Sequence, residues 1–354
     1  MIRNPWVRLT LMLLLMLCMG ATGSVVLAKP ASAPKASPQA AIDQAYAKYK
    51  DLQEGKNADY IPALAKVDPN LFGIALVTAD GKVYTAGDVS TEVSIQSISK
   101  VFTMAQVIED QGPDAILKTT GVDATGMRFN SIVSVEQAYK TLGGPEMNPL
   151  VNPGAITATS MVQGATADEV WAKIMQVHND CAGRPLKVLE DVYKSESDTN
   201  QRNQAIGMLM YAYGYIKANP AQAVDLYTRQ CSIGVNAKDL ATMAATLAFG
   251  GTNPVTKKQV FSSANVPKIL AVMATAGLYD DSGKWLYATG LPAKSGVGGG
   301  IIAVSPGKFG IAVVAPPLDD AGNSVKAQRA ITDISNALGG NPYAAKAPAA
   351  TASK

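Results

Sequence analysis

"SIQSISKVFTMAQVIEDQG", residues 94–112, decides how this chain is read. It sets Ser97 three positions before Lys100 at the head of an apolar run with helical spacing that stops at Gly112. The spacing predicts a helix over 97–112 with Ser97 near its start. Three residues is close to one turn, so Lys100 should share a face with Ser97. The helix N-terminus favours negative charge near the serine oxygen. A lysine at its ordinary pKa is protonated and useless as a base, but burial or a neighbouring cation would lower it. The pattern alone is a cheap match. Ser-x-x-Lys recurs at Ser32–Lys35, in a Pro- and Ala-rich leader, and at Ser305–Lys308, astride a Pro-Gly turn. Neither copy is read as chemistry.

Composition narrows the options. The chain has 354 residues, 47% of them hydrophobic, enough for one large or two ordinary globular domains. Lys and Arg total 31 against 28 Asp and Glu, without a dense basic patch, so nothing points to nucleic acid. His178 is the one histidine. A Ser-His-Asp or Cys-His enzyme would need it as the base, and a zinc site would normally want more than one. It sits in "AKIMQVHND" (172–180), an amphipathic helical stretch where a surface or helix-end position is expected. Acyl chemistry here would need a base other than histidine.

The first residues read as an export signal. Arg3 and Arg8 precede the apolar run "LMLLLMLCMGATGSVVLA" (11–28), which closes on small residues with Val26-x-Ala28. Cleavage is expected after Ala28, which implies a periplasmic or secreted protein without a membrane association. An uncleaved anchor is the alternative, because the run is nearly long enough to span, although Gly20 and Gly23 weaken it. A lipoprotein at Cys18 is rejected, since Leu17 stands where a small residue is needed. Residues 29–41 and 341–354 are rich in Pro, Ala and Ser and read as a flexible leader and tail. Cys181 and Cys231 could pair in an oxidising compartment or remain two buried thiols.

Between the tails the pattern alternates. "LFGIALVTADGKVYTAG" (71–87) is a strand, an Asp-Gly turn and a strand, and "GIIAVSPGKFGIAVVAPP" (300–317) is a second hairpin. Helical patterns fill 97–112, 155–178, 203–218, 236–249, 265–276 and 324–337. Strands at both ends with helices between predict an α+β fold, an antiparallel sheet flanked by helices plus a helical lobe, within one catalytic domain over 42–340.

A second cation is available in "GLPAKSGVGGGI" (290–301), where Lys294-Ser295-Gly296 precedes a strand. Glycine there would let a substrate lie against the strand backbone. A phosphate loop should follow a strand and open a helix, which this segment does not do. Ser-x-x-Lys early and Lys-Ser-Gly late together mark the penicillin-recognising acyl-serine fold, that of β-lactamases and transpeptidases.

Over residues 43–338 the chain also resembles the serine-dependent glutaminases, which share that fold. The resemblance rests on "NADYIPALAKVDPNLFGIALVT", "SIQSISKVF", "FNSI", "NPLVNPGAI", "YKSESDTNQRN", "YTRQCSI", "MAATLAFGG", "GLYDDSG" and "GLPAKSGVGGGI" in this order. It implies that Ser97 attacks the side-chain amide carbon of L-glutamine while Lys100 takes its proton. The Ser97 and Val297 backbone N–H groups would form the oxyanion hole, and Tyr279 would shuttle a proton toward the leaving ammonia. Water would then hydrolyse the acyl-enzyme without metal or organic cofactor. Glu196 would hold the substrate ammonium, with Tyr60, Gln96, Asn152, Asn203 and Tyr227 at its other polar atoms and Lys294, Ser295 and Gly296 in support. Glu196 and Asn203 are seven apart, about two turns, and could face one pocket on a single helix. The resemblance further implies a homodimer or homotetramer.

Departures from the family pattern are few. Pro153 stands where alanine is more usual, directly after Asn152, and Arg128 where proline is commoner. An export signal is unusual, and an ankyrin-like extension is lacking. Two other readings keep a place. A β-lactamase or D,D-peptidase would need a Ser-x-Asn or Tyr-x-Asn element, and the one match, Ser263-Ala264-Asn265, lies far after Lys100. A non-catalytic amino-acid-binding protein would have no use for intact Ser97, Lys100 and Tyr279.

Overall fold

Residues 36–139, 147–217 and 219–344 are described by a computed structural model. The expected export signal, residues 29–35 of the leader and residues 345–354 of the tail lie outside the described residues. The leader is shorter than its composition suggests. Ser37 accepts a bond from the Ala40 N–H and Pro38 occupies the first turn of a helix, so Pro38–Ala41 already belong to ordered structure.

That helix, α1 (Pro38–Tyr49), leads through α2 (Pro62–Ala65) into the hairpin β1 (Gly73–Thr78) and β2 (Val83–Gly87), then β3 (Val93–Ser94). A helical stretch follows: α3 (Ser99–Gln111), α4 (Pro113–Thr119), α5 (Ile132–Gln137), α6 (Asn152–Met161) and α7 (Ala167–Ala182). It continues with α8 (Glu190–Thr199), α9 (Gln201–Ala212) and α10 (Pro220–Cys231). Next come β4 (Gly234–Val235), α11 (Ala237–Ala248), α12 (Val266–Ala276) and α13 (Ser282–Thr289). The chain closes with β5 (Ala293–Gly296), β6 (Gly300–Ser305), β7 (Phe309–Val314) and α14 (Val325–Leu338).

The two sequence-marked hairpins join into one antiparallel sheet of order β2-β1-β7-β6-β5, with Gly73 opposite Val314 and Thr78 opposite Phe309. Strands β6 and β7 are buried at every position because both faces are covered. Ile301, Ala303, Ile311 and Val313 face a core shared with Ile42 of α1 and Ile331 of α14. The alternate residues Ile302, Val304 and Ala312 face a second core with Leu240 and Ala244 of α11 and with α3. Helix α11 lies flush on the sheet because position 310 is glycine: a β-carbon there would sit 2.0 Å from the Ala245 backbone nitrogen. A capping box between Asn236 and Asp239 opens α11. The helical lobe has its own core, including Ile156, Ile206, Met210, Val224 and Tyr227. This is the α+β arrangement expected.

Three details differ from expectation. The pattern over 155–178 is two helices, α6 and α7, because Thr166 starts a new helix by capping Glu169. The segment holding Glu196 and Asn203 is also two helices, broken at Asn200, so the two residues reach one site from different elements. His178 is not at a surface or helix end. It is fully buried on α7, in the stripe of Ile174, Val177 and Cys181, with Nδ1 2.7 Å from the Ile174 carbonyl and its ring edge-on to Phe102. Position 178 is one turn beyond Ile174, so it belongs to the apolar face whatever its polarity. Burial pushes its pKa down to about 4, leaving a neutral ring. Cys181 and Cys231 are buried and free.

Candidate active site

Ser97 lies in a 3-10 turn, Gln96–Ile98, that runs directly into α3. Gln96, just before it, has φ +49°, a left-handed conformation costing a non-glycine residue roughly 1–3 kcal/mol. Surrounding contacts hold it there. The Gln96 amide donates to Ser94 Oγ and to Glu196 Oε2, each at 3.2 Å. Backbone from the Lys294-Ser295-Gly296 strand presses against the same turn. A β-carbon on Gly296 would meet the Ile95 carbonyl at 2.8 Å, and one on Gly298 the Ser94 carbonyl at 2.4 Å. The glycines at 296 and 298 let β5 and its turn seat Ser97.

Lys100 is 1% exposed. Its amine donates to Asn152 Oδ1 at 2.7 Å and to the Leu150 carbonyl at 3.4 Å, and it stands over the Tyr227 ring. Burial pulls its pKa down to about 8 against the opposing pull of Cys231 and Glu196. Asn152 is the hub of this corner. Its Oδ1 also accepts from the Tyr227 hydroxyl at 3.1 Å, and its Nδ2 donates to Asn203 Oδ1 at 2.9 Å. Pro153 does not disturb it: Asn152 opens α6, and a proline in the first turn lacks only an N–H that would have no helical partner.

Tyr279 is a second non-glycine residue at positive φ, +54°. Among the described residues only Gln96, Lys257 and Tyr279 share that state, so two of the three adjoin Ser97. The Tyr279 hydroxyl donates to the Ser295 carbonyl at 3.3 Å, and the nearby Ser97 and Ser295 draw its pKa down against burial. Lys294 Nζ sits 4.0 Å from the centre of its ring and Phe129 packs on it at 4.9 Å. Burial pushes the phenol up to about 12. Lys294 is fully buried, donates to the Gly277 and Ser295 carbonyls, and is held well below its ordinary pKa by burial and then by the charge of Lys100.

Glu196 is 6% exposed, and burial lifts its carboxyl to about 7, opposed by the Gln96 bond and by Lys100. It faces an open cleft with a void of about 90 Å³. Of the residues singled out in the sequence, Tyr60, Gln96, Ser97, Asn152, Glu196, Asn203, Tyr227 and Val297 line this cleft together. Lys100, Tyr279, Lys294, Ser295 and Gly296 are buried immediately behind it. No hydrogen bond joins Ser97 to Lys100. Ser263-Ala264-Asn265 stays apart, at the start of α12, with Asn265 bonded to Glu109. Among the described residues no group of three or more His, Cys, Asp and Glu side chains is placed to hold a metal ion.

The cleft also has walls that sequence reading did not single out: Ile61, Phe129, Asn130, Thr199, Asn200 and Arg202. All six lie in quoted stretches: Ile61 in "NADYIPALAKVDPNLFGIALVT", Phe129 and Asn130 in "FNSI", and Thr199, Asn200 and Arg202 in "YKSESDTNQRN". Arg202 and Asn200 sit beside Asn203 but reach the cleft only because the chain breaks at Asn200; Arg202 is held there by donating to the Asn130 carbonyl at 2.8 Å.

A family model described as Glutaminase matches residues 55–343. The chain belongs to the glutaminase family. A glutaminase of Colwellia psychrerythraea is 52% identical over 305 residues, covering 86% of this chain and 97% of that protein. Glutaminase 1 of Shigella flexneri is 47% identical over the same length, covering 86% and 97%. Among solved structures, the probable glutaminase ybaS is 46% identical with a TM-score of 0.84, covering 87% of this chain and 98% of that one. A probable glutaminase from Bacillus subtilis, complexed with 6-diazo-5-oxo-L-norleucine, is 28% identical with a TM-score of 0.76, covering 86% and 97%. Family membership accounts for the motif order. The strained, buried surroundings of Ser97 are this chain's own geometry.

Proposed function

We propose that this protein hydrolyses the side-chain amide of L-glutamine to L-glutamate and ammonia through an acyl-enzyme on Ser97, with Lys100 as the ultimate base. The observation that carries the reading is the Lys100 amine. A neutral amine has two N–H bonds and one lone pair. Both N–H bonds have acceptors, Asn152 Oδ1 and the Leu150 carbonyl, which leaves the lone pair free to take a proton. Tyr279 adjoins Ser97, but a phenol at about 12 is almost never ionised near neutrality, whereas an amine at about 8 is neutral in about one molecule in ten at pH 7 and in about half at pH 8. Tyr279 therefore relays a proton rather than storing one, passing it toward the departing ammonia. The backbone N–H groups of Ser97 and Val297 serve as oxyanion donors. Water then cleaves the ester.

Glu196 supplies the negative charge for the substrate ammonium. Neutral donors on Asn152, Asn203 and Tyr60 address the remaining polar atoms, Asn152 keeping one N–H for this after its bond to Asn203, while Tyr227, whose O–H goes to Asn152, offers an acceptor oxygen. That a relative is complexed with the glutamine-like 6-diazo-5-oxo-L-norleucine supports the substrate class. The expected export signal supports action outside the cytoplasm.

Purified protein is expected to release ammonia from L-glutamine and to resist labelling by a fluorescent penicillin. Labelling without ammonia release would move the chain to the β-lactamase reading. Glu196→Gln should raise KM for glutamine by about 10- to 100-fold with a smaller change in kcat, the worth of a charge-assisted bond. An equal loss in kcat with KM unchanged would remove Glu196 from ammonium binding.

A further inference from the structure

Behind the turn that holds Ser97, polar side chains from three helices meet in the core: Ser99 and Thr103 of α3, Thr159 of α6 and Gln230 of α10. All four are buried and none lines the substrate cleft. We propose that Ser99, Thr103 and Gln230 are positioning residues for the oxyanion hole, because their chain of hydrogen bonds fixes and polarises the peptide that carries the Ser97 N–H. This rests on the acyl-enzyme reading above and says how its transition state is stabilised.

The bonds run in one direction. Thr103 Oγ1 donates to Gln230 Oε1 at 2.9 Å, and the Gln230 amide donates to Ser99 Oγ at 3.5 Å. The Ser99 hydroxyl donates in turn to the Gln96 carbonyl at 2.8 Å. Thr103 gives its proton to Gln230 rather than to its own helix. Thr159 does the reverse, donating to the Ala155 carbonyl one turn back at 2.9 Å and meeting Gln230 Oε1 only at 3.4 Å. With Oε1 pinned by Thr103, the amide nitrogen faces Ser99.

The last bond reaches the chemistry. The Gln96 carbonyl and the Ser97 N–H belong to one planar trans peptide, so they point in opposite directions. Tying the carbonyl to Ser99 therefore fixes where the N–H points. Each bond in a chain polarises the next, which makes that N–H a stronger donor. The bond also opposes rotation of the peptide, which would relieve the strain at Gln96, where φ is +49°.

Folding alone does not require this chain. The Gln96 carbonyl already accepts the Ser99 N–H. Apolar side chains of similar shape could fill the slots at positions 103 and 230 with little loss of stability. What the polar side chains add is direction at the oxyanion donor.

The test compares Ser99→Ala, Thr103→Val and Thr103→Ser. The first two should lower kcat for glutamine about 10-fold, short of the roughly 10²- to 10³-fold loss when a whole oxyanion donor is removed. KM should stay within about twofold, since ground-state binding is not involved. Thr103→Ser keeps the hydroxyl and should keep wild-type kcat. The second readout is the boronic acid analogue of glutamate, with a dihydroxyboryl group in place of the side-chain carboxyl. Its boron takes the Ser97 Oγ lone pair, the hydroxyl proton passes to Lys100, and one boron-bound oxygen occupies the oxyanion position. Affinity for this tetrahedral adduct should fall about 10-fold in Ser99→Ala and Thr103→Val, while affinity for glutamate is unchanged. The pH profile should keep its shape, because Lys100 bonds to Asn152 and Leu150, outside the chain. Equal losses of boronate and glutamate affinity would mean general loosening and overturn the proposal. So would a Thr103→Ser variant as slow as Thr103→Val, or wild-type kcat in both Ser99→Ala and Thr103→Val. Absence of ammonia release by the wild type would instead overturn the hydrolase reading, and this one with it.

Discussion

Ser97→Ala is expected to lower glutamine turnover by about 10⁴-fold or more while glutamate still binds. In the proposed mechanism the hydroxyl oxygen is the atom that becomes acylated, and the one nearby thiol cannot replace it. The Cys231 thiol is fully buried and burial pushes it up to about 12, so it is neither reachable nor ionised. The variant should fold, because one oxygen leaves a 3-10 turn whose geometry is held by Gln96, Glu196 and the glycines at 296 and 298. Rapid quenching of wild type with glutamine, followed by mass spectrometry, should find a glutamyl adduct on the peptide containing Ser97, and none in the variant. A variant that keeps a tenth of the activity would dispose of the acyl-enzyme.

Lys100→Met should cost about 10³- to 10⁴-fold in kcat, the upper range for a lost general base. Methionine is unbranched and suits the buried slot. It leaves Asn152 Oδ1 still bonded to Tyr227, so large unfolding is not expected. The pH profile separates a base from a spacer. With a pKa of about 8, Lys100 is protonated and idle below that pH and competent above it. Glu196, at about 7, must be ionised to hold an ammonium and is competent only above that value. Wild-type kcat/KM should therefore rise through pH 7–8. In the methionine variant the component near 8 should vanish while the one set by Glu196 persists. If the whole rise survives with most of the activity, proton transfer belongs to Tyr279, the tyrosine beside Ser97.

Local patterns were legible where the physics is local. Both hairpins carry their turn residues between apolar strands, and helices start at a capping side chain such as Asn236 or stop at a glycine such as Gly112 or Gly339. Boundaries failed where a cap sits inside a continuous periodic pattern, at Thr166 and Asn200. His178 was misplaced because its polarity outweighed its position on the α7 stripe. Arg202 was passed over because an arginine in a polar run looks like any solvated charge until its helix is placed.

By itself the sequence determined the fold class, the spacing that sets Ser97 one turn before Lys100, and the scarcity of imidazole that leaves an amine as the candidate base. Those follow from spacing and composition, which need no three-dimensional context. Only tertiary structure decided that Lys100 is dry enough to sit near pKa 8, that Asn152 occupies its N–H bonds together with Leu150, and that Gln96 and Tyr279 are held in strained conformations. Desolvation, bond saturation and strain belong to neighbours brought in from distant segments, here strand β5, helix α6 and helix α8, and no local stretch of chain encodes them.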